Sequence, residues 1–116
     1  MTNYDRIEGT MTLEQLNDSY DWREAFKYAT DGVEMADVVK VVASIDGEND
    51  GPSWQGVFKL KDGRFMYLSA SCDYTGWGCQ EGGSAECQPT LRRLVDSIPD
   101  NDLDRLPQLR GDLRAL

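Results

Sequence analysis

The chain has 116 residues, 21 of them acidic and 12 basic, and no histidine. A net charge of −9 repels polyphosphate and anionic lipid, which disfavours direct nucleic-acid or membrane-surface binding. Forty per cent apolar residues on this length can build the core of one modest domain, so disorder of the whole chain is not expected.

The charge is uneven. Residues 1–56 carry twelve acids and four bases, whereas residues 57–116 carry nine acids and eight bases. No apolar run approaches a membrane span, and MTNYDRIEGT has neither a basic nor an apolar leader region. These features predict a cytoplasmic protein. Three cysteines are too few and too odd in number for a secreted disulfide framework, so free thiols are the expectation.

In chain order, Thr12 and Gln15 have capping-box spacing, and Asp21-Trp22-Arg23-Glu24 offers a second helix start on an acidic cap. One broken helix or two short ones is predicted between Leu13 and Ala29. Leu13, Leu16, Tyr20, Trp22, Phe26 and Ala29 line its buried side. Met35, Val38, Val39, Val42 and Ile45 repeat at helical spacing and predict a helix over 33–45, stopped by Gly47. Five valines make it a weak intrinsic former, dependent on packing.

Ser53 to Leu60 reads as a strand, Lys61-Asp62-Gly63 as a tight turn, and Arg64 to Ala70 as the returning strand. The glycine-rich stretch from Cys72 to Gly83 reads as a loop, with a third short strand near 84–87. Pro89 suits the first turn of a helix through Ile98, and a last helical turn is placed between Asp100 and Leu106. The expected architecture is α+β: one domain over 1–116, with a small antiparallel sheet (hairpin 54–70 plus the strand near 84–87) packed against N- and C-terminal helices on one face.

The absence of histidine removes the commonest general base and metal ligand, and no phosphate-binding GxxxxGK[ST] loop is present. A non-enzymatic role is the expectation, with no cofactor. Cys72, Cys79 and Cys87, spaced C-x6-C-x7-C, are the metal or thiol candidates, with Asp73 as a fourth ligand. They lack the close cysteine pair usual in structural zinc sites. A Cys72–Cys79 or Cys79–Cys87 disulfide is open to the spacing but disfavoured by a reducing compartment. Asp46 to Gly51 resembles the start of a calcium loop, but position twelve is Val57, where a glutamate is required.

Two features point to a partner. Asp18, Asp21 and Glu24 are spaced by three, and Asp31, Glu34 and Asp37 repeat the pattern. On helices these rows would present carboxylates about 5–6 Å apart, a spacing that arginine forks of a basic partner could engage. The competing reading is an ordinary solvated face with caps. In the glycine-rich loop, Tyr74 and Trp77 are either interface anchors or lids folded over the core.

The segment KDGRFMYLSASCDYTGWGCQ, within residues 50–83, resembles segments of small bacterial and phage proteins of undetermined function. That resemblance implies a bacterial or phage setting and carries over no site residue. By analogy it makes an inhibitor of a host defence or nucleic-acid enzyme, of the anti-CRISPR kind, the sharp form of the expectation. A basic, nucleic-acid-binding protein would be the partner. The alternatives are a cysteine-based metal or thiol protein and a structural accessory subunit.

Overall fold

A computed structural model describes residues 10–30, 32–107 and 109, without the side chains of residues 79 and 80. Two short helices open it, α1 (Leu13–Asp18) and α2 (Tyr20–Ala29). The capping box is formed: Gln15 N–H donates to Thr12 Oγ1 at 3.0 Å, and Thr12 N–H donates to Gln15 Oε1 at 2.9 Å. The second cap is Ser19, not an acid. Its Oγ accepts the Trp22 N–H at 3.1 Å, which leaves Asp21 inside the first turn.

The largest departure from expectation is at 33–45. A single 3-10 turn, Met35–Asp37, leads into strand β1 (Val38–Ile45) where a helix was predicted. Five of its eight residues are β-branched, stiff at χ1 and suited to a pleated surface. The helical spacing has its own cause. Register shifts between Val38 and Lys40, and again between Val41 and Ala43, each set two residues of β1 against one of β2 (Trp54–Leu60). The bulges put Val38 and Val41 on the face under α1 and α2, three residues apart as in a helix; of the predicted stripe, Val42 and Ile45 pack on the opposite face and Val39 is exposed.

Strands β2 and β3 (Phe65–Asp73) form the expected hairpin, pairing from Trp54↔Ala70 to Lys59↔Phe65. Of Asp62 and Gly63, only the glycine has positive φ, at 96°, so the turn is not the two-residue type. Asp62 instead accepts the Arg64 backbone N–H at 2.9 Å and pairs with its guanidinium at 2.8 Å. The predicted loop is also overturned. β3 runs on to Asp73, and β4 (Gly76–Gln88) returns beside it for 13 residues, giving the antiparallel order β1-β2-β3-β4. Thr90 caps α3 (Leu91–Ser97), so Pro89 lies just outside the helix, and α4 (Asp100–Leu103) follows.

The α+β class stands, but helices cover both faces of the sheet. Leu16, Trp22, Ala25 and Phe26 pack on Val38, Phe58, Leu60, Met66, Leu68 and Cys72. On the opposite face, Leu91, Leu94, Val95, Ile98, Leu103 and Leu106 pack on Ala43, Val57 and Tyr67. Each large side chain removed from water this way contributes roughly 1.5–3 kcal/mol. Gly83 lets α2 lie close to the sheet: a Cβ there would meet the Ser69 carbonyl oxygen at 2.7 Å and the Ala29 Cβ at 2.9 Å. Among the described residues no helix is long and apolar enough to cross a membrane, which leaves β-barrels unaddressed.

Candidate interaction surface

The predicted acidic rows are not rows. Asp18 ends α1, and the Ser19 cap separates it from Asp21 and Glu24, which do share α2. Asp31 lies outside the described residues. Glu34 and Asp37 flank a 3-10 turn where a helix was expected. Asp37 serves the fold. Its Oδ2 accepts the Glu34 backbone N–H at 3.0 Å, and its Oδ1 lies 3.3 Å from Lys61 Nζ. Those two contacts, the backbone bond foremost, hold its carboxyl below the usual range. Lys61–Asp37 and Arg64–Asp62 are the ion pairs among the described residues.

The two aromatic candidates behave oppositely. In the β3–β4 pairing, Cys72 faces Glu81 while Asp73 faces Gly76, so residues 77–80 are extra on β4. This bulge turns Trp77 inward. Its indole Nε1–H donates to Asp21 Oδ1 at 3.0 Å, its ring stacks on Tyr28 (centroids 6.3 Å apart, planes 3° off parallel), and Trp54 lies 5.1 Å away. Trp77 is a fastener between α2 and the sheet. Tyr74 stands on the hairpin turn, 76% exposed. Asp73 Oδ1 accepts both the Thr75 N–H and its hydroxyl, and Gly76 has φ of 100°, so a fixed turn displays the ring.

The connection between β1 and β2 meets this turn. Asp50 N–H donates to the Cys72 carbonyl at 2.8 Å, and the Cys72 thiol donates to Asn49 Oδ1 at 3.2 Å. Asp46 Oδ1 accepts the Trp22 indole N–H at 2.9 Å. Within the calcium-like stretch, Asp46 and Asn49 thus serve as side-chain acceptors. Burial, with Asp21 and Asp73 adding negative potential, pushes the Cys72 thiol up. Asp73 shapes the turn that carries the exposed Tyr74, the Asp50 backbone meets Cys72 beside it, and Asp21 and Asp46 hold the Trp77 and Trp22 indoles, so separate elements bring acids towards this end of the sheet. Asp46, Glu48 and Asp50 were not among the predicted partner residues. Their signal in the sequence was a second acid-rich turn, which only the sheet register brings against the first.

Cys72 and Cys87 do not meet, and the side chain of Cys79, with both disulfides that would use it, lies outside the described residues. Cys72 faces Glu81 and Cys87 faces Met66, six residues away along β3, or about 20 Å at the rise of a strand. They cannot share a metal ion or a disulfide, and no group of three potential metal ligands exists among the described residues. Burial also raises the Cys87 thiol, against the opposing pull of Arg64.

Between α2 and residues 33–36, Phe26, Val33 and Met35 floor a shallow cleft edged by Arg23, Lys27 and Glu34. It lies apart from the acidic tip. No protein-family model, no curated protein and no solved structure matches the chain.

Proposed function

We propose that the protein is a non-enzymatic interaction module, and that the acidic corner around Tyr74 contacts a basic protein partner. The observation that carries this reading is the exposure of a tyrosine on a hydrogen-bonded hairpin tip, beside carboxylates delivered by three separate elements. A rigid aromatic anchor ringed by charge is the pattern of interface hot spots, since it buries much area for little lost entropy. Carboxylates around it favour arginine-rich surfaces and steer their approach.

The sharper form is an inhibitor that occupies the nucleic-acid site of a host protein, of the anti-CRISPR or another anti-defence kind, acting in the cytoplasm. It draws on the net charge and on the resemblance of residues 50–83 to small bacterial and phage proteins. The test is affinity capture from bacterial lysate at low and high salt, repeated with Glu48→Lys and Tyr74→Ala combined. Neither of these side chains holds the fold together by a hydrogen bond among the described residues. Loss of a salt-sensitive, nucleic-acid-binding partner from the variant supports the reading. Equal capture by both proteins, or capture indifferent to salt, refutes it.

A further inference from the structure

Strand β4 lies at the end of the sheet, and no described strand pairs with its outer edge. From Glu81 to Gln88 it faces β3 in eight consecutive pairs without a bulge, about 26 Å of regular edge. Exposed edges are normally guarded by proline, lysine, bulges or shortness. This segment contains neither proline nor lysine, and its bulge is confined to residues 77–80. Residues 82–86 are all exposed although helices cover both faces of the sheet elsewhere. Gly82, Gly83, Ser84 and Ala85 leave the backbone open to approach.

The charge around the edge selects the occupant. Between Arg64 and Arg92 there is no basic residue, while Asp73, Glu81 and Glu86 are acidic. Glu81 Oε1 is shielded from water and has no hydrogen-bond partner among the described residues. A shielded carboxylate oxygen without a donor is costly, and a Glu81 side chain turned outward to a cation on an added strand would relieve that cost. A second copy of the chain would bring further acids to the same edge instead.

We infer that residues 81–88 of β4 accept an extended, lysine- or arginine-bearing segment of a protein partner as an added edge strand. Main-chain hydrogen bonds would supply affinity, and Glu81 and Glu86 would select basic side chains. The inference rests on the reading of the chain as an acidic interaction module, and its test separates the two.

The probe is a ten-residue peptide of alternating lysine and valine, compared with the same peptide carrying a central proline. Binding is followed by calorimetry and by amide hydrogen exchange across residues 81–88. Strand addition predicts that the unbroken peptide slows exchange at the outward amides and that proline weakens binding about tenfold or more. Gly82→Lys with Ser84→Lys should weaken the unbroken peptide similarly. The fold should tolerate both changes, because a Cβ at Gly82 has only Ser71 Oγ nearby, at 3.9 Å. Equal, salt-sensitive binding of both peptides without protection on β4 would overturn strand addition and leave the acidic reading standing. No binding of either peptide would overturn both. Protection of 81–88 by self-association, seen as a dimer in sedimentation, would give the edge to a second copy and overturn the inference.

Discussion

Asp21 on α2 and Trp77 on β4 lie 56 positions apart in sequence and are joined by one hydrogen bond, indole Nε1–H to Oδ1 at 3.0 Å. The contact fixes the N-terminal helices against the edge strand and commits one carboxylate of the acidic face to structure. Asp21→Ala should cost about 1.5–3 kcal/mol, the usual range for a hydrogen bond to a charged group. Asp21→Asn keeps an acceptor oxygen and should cost less than half of that. Urea denaturation of both variants measures the difference. Equal losses would mean that charge, not the hydrogen bond, does the fastening.

Gln55 is 1% exposed, yet it sits near the start of β2 as a polar side chain inside the core. Its Nε2 donates to the Tyr67 hydroxyl at 2.8 Å and to the Asp102 carbonyl at 3.3 Å, and its Oε1 accepts from the Arg105 guanidinium. Arg105 also donates to the Ser53 carbonyl at 2.9 Å. One amide thus links the sheet to the C-terminal segment that carries Leu103 and Leu106 into the core. Gln55→Leu would strip partners from a guanidinium and a phenol, for a loss of about 2–3 kcal/mol. Hydrogen exchange should speed first at residues 100–106. Uniform acceleration across the sheet would contradict this local role.

The limits of the sequence lie in the same places. Hairpin 54–70, the capping box and the helix after Pro89 were legible because each rests on local signals: an Asp-Gly turn, the spacing of a cap, a proline where a helix begins. β1 was not, because two bulges gave its valines a helical period, although their β-branching pointed the other way. Of β4, the stretch near 84–87 was legible and residues 76–83 were hidden for the opposite reason. A glycine-rich segment has no apolar alternation to read, and its pairing with β3 defines it. Gln55 and Asp46 depend on contacts across 47 and 24 positions, which no window of sequence contains.

Gly83 tests whether α2 must lie where it does. Any Cβ there would come 2.7 Å from the Ser69 carbonyl oxygen and 3.1 Å from the Ala70 Cα, both main-chain atoms that cannot step aside. Gly83→Ala should destabilise by about 1–3 kcal/mol, the range for overpacking a filled site. A compensating Ala29→Gly in the same chain should recover part of the loss, because the Ala29 Cβ is the neighbour at 2.9 Å. No recovery in thermal denaturation would assign the strain to the strand alone.

Tyr67 couples the stability of the fold to alkaline pH. Burial pushes its hydroxyl up from 10.0 to about 12, with the Gln55 hydrogen bond opposing and the Asp102 charge adding to the rise. The folded chain therefore holds this proton more tightly than the unfolded chain does. The stability it contributes is fully present below pH 10 and falls as pH rises through about 12. Tyr67→Phe removes that linkage together with one hydrogen bond to Gln55. Below pH 10 the variant should be less stable than the parent by about 1 kcal/mol. That gap should close as pH rises towards 12, since the parent alone must ionise a buried phenol. Denaturation midpoints of the two proteins across pH 8–12 measure it, and a gap that stays constant with pH would place the Tyr67 hydroxyl in contact with solvent.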